Sequence, residues 1–241
     1  MQRHRPALGP ANRRCDSGWW WQGDCLGLRR ESTRGRRGLA KDAHGWFGSA
    51  PTLVINNAGV GAGGRNIGDV PIDDWRWTLG INLWGPIHGC HVFAPVLREQ
   101  GYGGIINVAS AASFGAAPRM AAYNVSKAGV LSLSETLSAE MAGTGVAVTV
   151  LCPTFVKTNI IAAGRIDTGV SKTATSLMKI TGMTPKKVAR TCLDTHDRGG
   201  LYVMPQLDAK VGWELKRHAP RTYTRAVGLL GRFAPRPDQG A

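Results

Sequence analysis

Apolar positions along the 241 residues fall into two kinds of pattern once past about Asp42. Short branched runs recur: Leu53–Ile55 within TLVINNAG, IINVAS after Gly103–Gly104, VAVTVLCP, and LYVMP at 201–205. Runs of this length and composition read as strands buried on both faces. Longer stretches lie between them. One begins near Pro71 and runs through WRWTLGINLWGPIHGCHVFAPVLRE. Proline suits a first helical turn, and Asp73 and Asp74 favour the positive end of the helix dipole. Gly80, Gly85, Pro86 and Gly89 make it a poor helix by propensity. A second helix is expected from Tyr123 to about Met141, with Val125, Val130, Leu133, Leu137 and Met141 apolar and small residues at 126, 128 and 129. That face can pack on a sheet and on a second subunit. PKKVARTCLDTHDRG reads as a helix starting at Pro185, and AKVGWELKRHAPRTYTRAVGLLGRF as a basic, partly amphipathic tail with a solvated face.

Residues 1–41 break the pattern. They show neither strand alternation nor a helical apolar period, and Trp19, Trp20 and Trp21 stand in a row. Of a net charge of +14, this sixth of the chain holds half: ten Lys/Arg against three Asp/Glu. They are expected to be a disordered basic segment, text read from another frame or a misplaced start. The competing reading, a basic arm for nucleic acid, predicts binding that weakens steeply with salt. Apolar content of 43% suits one globular domain with a sizeable core. No apolar run reaches the ~18 residues of a membrane span, and the basic N-terminus lacks an apolar signal core. Five cysteines without a CxxC pair read as reduced thiols of a cytoplasmic protein. His88 and His91 have no third ligand nearby in the text, so no metal is expected.

The chemistry concentrates between Ser110 and Lys127. Tyr123 follows Ser110 by thirteen positions, and Lys127 follows Tyr123 by four. On a helix that spacing sets the ammonium beside the phenol, where it is expected to lower a pKa that is ordinarily near ~10. A serine at a strand end can hydrogen-bond a substrate oxygen. The three make a proton-transfer site for a carbonyl or an alcohol. Ser113 stands only ten residues before Tyr123.

YNVSK at 123–127 with Ser110 upstream, NNAG at Asn56–Gly59 and Asn82 in INLWG resemble the short-chain dehydrogenases/reductases. The resemblance covers roughly residues 43–232. It implies an α/β fold, a Rossmann-like doubly wound parallel sheet, of which this chain carries the fourth strand onward in residues 42–241. It implies NAD or NADP as cofactor. Asn56, Asn57, Ala58, Gly59, Tyr123, Lys127, Pro153, Val156 and Thr158 would contact that cofactor, the last three in PTFVKT, where Thr154 replaces the family's glycine. The catalytic set is then Asn82, Ser110, Tyr123 and Lys127. Pro86 has no N–H, so the Asn82 carbonyl loses its helical partner, and in the family such a carbonyl holds a relay water. GVGAGGRNIGD is expected to be a flexible connection, and residues 159–184 a substrate lid.

The family's TGxxxGIG phosphate loop is missing. Gly23 and Gly27 have the first spacing, but Arg29 occupies the third position. The first three strands are therefore unrecognisable, and the strand at Leu53 is expected to present an apolar edge. The resemblance implies an alcohol or carbonyl substrate and a homodimer or homotetramer. An inactive chain acting as an oligomerisation partner is the alternative reading.

Overall fold

The computed structural model describes residues 51–167, 171, 175, 176, 178 and 182–232. The readings made for residues 1–41, and for parts of the expected lid, lie outside the described residues. Four parallel strands form the main sheet: β1 (Leu53–Asn56), β3 (Gly103–Val108), β4 (Val146–Leu151) and β6 (Tyr202–Val203), in the order β1-β3-β4-β6. This is the order implied for strands four to seven of a Rossmann-like sheet. β3 pairs Leu53 with Gly104 on one side and Gly103 with Val146 on the other.

Alternation along the strands assigns their faces. Ile105 and Val148 join Cys90, Ala94 and Leu97 of α2 (Gly85–Gln100) and Leu137 of α4 (Ala121–Glu140) in one buried cluster. Ile106, Leu151 and Val203 turn the other way, onto Val188 and Cys192 of α5 (Pro185–His196). The start expected for α5 is where it falls, with Thr184 capping the Lys187 N–H. Among the described residues β1 lies at the edge of the sheet, and its Leu53 and Ile55 are 36% and 50% exposed.

Polar residues fix the registry of this core. Asn56 and Asn107 lie opposite each other in paired strands. The Asn56 amide donates to Asn107 Oδ1 at 2.8 Å, and Asn107 Nδ2 donates to Ser134 Oγ at 3.0 Å. Gly89 of α2 admits this network, because a Cβ there would overlap the Asn56 amide. On the opposite face His196 is buried, with Nδ1 2.8 Å from Thr149 Oγ1.

Several expectations are corrected. The long helix after Pro71 is interrupted: α1 (Ile72–Leu79) passes into a π-turn at Gly80–Trp84 before α2 begins. Gly85 and Pro86 cannot sustain a uniform hydrogen-bond ladder there. The glycine-rich connection is not a free loop, because β2 (Ala62–Gly63) pairs in parallel with β5 (Arg165–Ile166) inside the expected lid. Small residues permit that close approach: a side chain at Gly64, whose φ is 113°, would run into Asp167. A short helix α3 (Ala112–Gly115) occupies the segment after Ser110. The tail forms two helices, α6 (Leu207–His218) and α7 (Pro220–Arg232). Trp213 of α6 packs edge-on against Phe114, 5.1 Å between centroids, while α7 buries none of its residues, as a solvated helix should. Among the described residues no helix is long and apolar enough to cross a membrane.

Gly89→Ala is expected to destabilise the fold by about 1–3 kcal/mol through overpacking, read as a lower urea midpoint. Burial lowers the His196 pKa, with Asp197 opposing. The unfolded chain therefore takes up this proton more readily, and the imidazole's contribution to stability falls as pH drops below ~6.5. His196→Gln is expected to flatten the acid limb of a melting-temperature profile by that contribution.

Candidate active site

All four strands run the same way, so their C-terminal ends gather on one edge. β1 ends into Asn57–Gly59, β3 into Ser110 and β4 into Cys152–Thr158. α4 starts two residues before Tyr123 and turns both Tyr123 and Lys127 inward, 9% and 2% exposed. This is the general location of chemistry in open α/β sheets.

Ser110, Tyr123 and Lys127 come together there. Ser110 Oγ accepts from the Ala112 N–H at 3.1 Å, reaches the Pro153 carbonyl at 3.4 Å and is hydrogen-bonded to the Tyr123 side chain. Ser113 instead donates to the Lys127 carbonyl at 2.8 Å. The geometry thus favours Ser110 as the phenol's partner, as its spacing does. Lys127 Nζ donates to the Val108 carbonyl at 2.9 Å and lies 5.8 Å from the Tyr123 ring centroid.

The electrostatics correct one expectation. Tyr123 was expected to be lowered by Lys127. Burial instead pushes the phenol upward, with the Ser110 hydrogen bond opposing. Lys127 pays the same desolvation in the opposite sense: burial brings it down to about 8, against the pull of the Cys152 sulfur. Cys152 itself is pushed up to about 12, chiefly by burial. Burial, not the neighbouring ammonium, dominates the phenol's shift.

Asn82 is fully buried in the π-turn. Its Oδ1 accepts from the Val60 N–H at 2.8 Å, and its Nδ2 donates to the Val60 carbonyl at 2.9 Å and to Ser126 Oγ at 3.3 Å. The side chain therefore clamps the segment after Gly59 to α4. A methyl placed on Gly59 would stand 3.3 Å from Lys127 Nζ and 3.4 Å from Asn82 Oδ1. Sequence reasoning considered only the Asn82 carbonyl; the amide clamp had no signal, because nothing in the text links position 82 to Val60.

The other positions expected to contact the cofactor divide. Asn56 faces the core, bound to Asn107, so its side chain serves the sheet. Asn57 is exposed, with its N–H on the Ile55 carbonyl at 3.1 Å. Ala58 and Gly59 are half-buried beside it, and Pro153 is buried at the end of β4. Val156 bridges to Met183, and Thr158 is exposed, with its hydroxyl 3.4 Å from the Val156 carbonyl. Thr154, where the family has glycine, does not adopt a left-handed backbone. Its N–H instead donates to Gln206 Oε1 at 3.2 Å, while Gln206 Nε2 donates to the Phe155 carbonyl at 3.0 Å. Gln206, 8% exposed, thus holds this loop and was not foreseen from the sequence. Among the described residues no group of three or more His, Cys, Asp or Glu could hold a metal ion.

A family model for the short chain dehydrogenases matches residues 41–168, more than half of the chain, so the chain belongs to that family. Over 133 residues it is 39% identical to a probable oxidoreductase, EphD, of Mycobacterium tuberculosis, covering 55% of this chain and 22% of that protein. It is 29% identical over 187 residues to a C alpha-dehydrogenase of Sphingobium, covering 73% and 61%. A solved short-chain dehydrogenase/reductase of Burkholderia phymatum, in complex with NAD, superposes with a TM-score of 0.74 at 28% identity, covering 81% of this chain and 75% of that one. The chain thus spans less than two thirds of the length of both sequence relatives.

Folded Lys127 releases its proton near 8, whereas the unfolded chain holds it to ~10.4. Between those values the unfolded state binds more protons, so stability gains with rising pH. Relative to Lys127→Met, the native chain is expected to become progressively more stable from pH 8 to 10, as read by urea denaturation at several pH values.

Proposed function

We propose that this chain interconverts an alcohol and a carbonyl as an NAD(P)-dependent oxidoreductase. The observation that carries the reading is the buried group of Ser110, Tyr123 and Lys127 at the C-terminal edge of a parallel sheet. The residues around Gly59 and Lys127 fit the nicotinamide–ribose half of such a cofactor. Gly59 leaves room against Lys127 and Asn82 that a side chain would fill, and β1 and β4, which lead into Asn57–Gly59 and Pro153–Thr158, flank β3 in the sheet. Lys127 would hold the ribose; Asn57, Ala58, Gly59, Pro153, Val156 and Thr158 would line the remainder, and Asn56 supports the turn from below. The bound nicotinamide supplies or accepts the hydride.

The residues of this chain manage the proton. With burial holding its pKa up, Tyr123 is protonated at neutral pH and begins as an acid, suited to donate to a carbonyl oxygen. Ser110, already bonded to that phenol, orients the same oxygen. Lys127, brought to about 8, can exchange a proton near neutrality and restore the phenol. Pro86 leaves the Asn82 carbonyl without an i+4 donor, free to hold a water on the way out. In the oxidative direction the phenol must first lose its proton, which its environment resists. Residues 159–184 serve as the substrate lid, with β5 stitched to β2 as its fixed end.

The NAD complex of the Burkholderia phymatum relative supports a dinucleotide cofactor. Exposed Trp84 and Val125, 52% and 48% exposed on neighbouring elements, support a homo-oligomer. A cytoplasmic location accords with the cysteine pattern. The second reading, an inactive oligomerisation partner, rests on the missing TGxxxGIG segment.

Tyr123→Phe removes the donor and little else. It is expected to lower the rate of carbonyl reduction by at least about 100-fold while nicotinamide fluorescence titrations keep their midpoint. An unchanged rate would sink the assignment.

A further inference from the structure

Residues 111–122 join Ser110 to Tyr123, and little of that connection supports itself. α3 is a single turn, too short to persist on its own hydrogen bonds. Beyond it Ala116 and Arg119 have φ of 50° and 62°, in the left-handed region that side-chain-bearing residues seldom adopt. Among the described residues no other non-glycine has a positive φ. Conformations of this kind persist where the surroundings over-determine them.

The C-terminal helices supply much of that surrounding. Trp213 of α6 meets the buried ring of Phe114 edge-on. α7 touches the connection at three points. The Tyr223 hydroxyl donates to the Gly115 carbonyl at 3.3 Å, and the Gly231 carbonyl accepts from Arg119 Nη2 at 2.9 Å. Gly231 also lies against Pro118, so closely that a Cβ on it would stand 2.7 Å from the proline Cγ. Tyr223, Val227 and Gly231 recur at i, i+4 and i+8, a half-buried line on a helix that is otherwise exposed.

The held segment leads directly to the reacting groups. The Gly115 N–H donates to the Ala111 carbonyl at 2.7 Å, and the Ala112 N–H donates to Ser110 Oγ at 3.1 Å. Ser110 in turn is bonded to the Tyr123 side chain. Ser113 Oγ ties α3 to the Lys127 carbonyl, and Asn124 Nδ2 donates to the Ala117 carbonyl at 2.8 Å. A shift of α3 would therefore turn Ser110 Oγ while leaving β3 and β4 in place.

We propose that α7 is a latch on the segment between Ser110 and Tyr123, with Tyr223 and Gly231 as positioning residues for the hydrogen bond between those two side chains. The effect on rate rests on the oxidoreductase reading above; the latch itself does not.

The test uses the full chain and two variants, Tyr223→Ala and Gly231→Leu, with Tyr223→Phe as the conservative partner. Amide hydrogen exchange is followed by mass spectrometry. Both variants are expected to speed exchange in peptides covering 111–120 by about ten-fold or more, while peptides from β3 and β4 keep their rates. With NADH or NADPH, and isatin or camphorquinone as the carbonyl probe, kcat is expected to fall about ten-fold or more at an unchanged cofactor KM. Tyr223→Phe keeps the ring and loses only the bond, so it falls between the native chain and Tyr223→Ala. Unchanged exchange at 111–120, or acceleration spread equally over β3 and β4, would overturn the latch. Faster exchange confined to 111–120 with a native kcat would overturn the positioning role. If the native chain reduces neither probe, exchange alone decides: acceleration confined to 111–120 supports the latch while the hydride-transfer reading loses support, and no acceleration removes the latch.

Discussion

The candidate site depends on a single amide. Asn82 satisfies both backbone groups of Val60 and touches Ser126, and it does so with no exposure to solvent. Each of those bonds replaces one to water that burial has removed, so leaving any of them unmade is costly. The clamp brings the end of β1 against α4, and Lys127 therefore faces Gly59. The π-turn that presents Asn82 is a consequence of local sequence: glycine and proline at 85 and 86 unsettle the ladder at the point where the side chain is needed.

Burial then sets the chemistry. The phenol and the ammonium share one pocket, and desolvation drives them toward their neutral forms: Tyr123 upward, Lys127 down to about 8. A naive pairing of opposite charges would make Lys127 the activator of Tyr123. In the structure burial outweighs that pairing for the phenol, whose pKa lies above its ordinary value, while Lys127 lies below its own.

Much of this was legible in the text. Short branched runs at 53–55, 105–108 and 146–151 gave the central strands, because a buried parallel strand leaves few other compositions possible. The thirteen- and four-residue spacings gave Ser110, Tyr123 and Lys127, because a strand end and a helix face fix where those side chains point. Contacts that join distant segments were not legible. Nothing local announces that Asn82 seeks Val60, that Gln206 holds Phe155, or that a glycine-rich stretch at 60–64 pairs with residues 165–167. Nor does anything local announce that the Asn56 side chain bonds Asn107, a contact that only the register of the paired strands reveals. The helix after Pro71 was read as continuous because propensity reports weakness, while the form the interruption takes is set by tertiary packing.

The most direct measurement is titration of the purified 241-residue chain with NADH and NADPH, following nicotinamide fluorescence and thermal stability together. Saturable binding that raises the melting temperature is the predicted result, with one of the two cofactors preferred. A chain that melts cooperatively, and is therefore folded, yet gains neither fluorescence nor stability from either cofactor would contradict it. The Ser110–Tyr123–Lys127 group would then be a proton-transfer site without a hydride to accompany it.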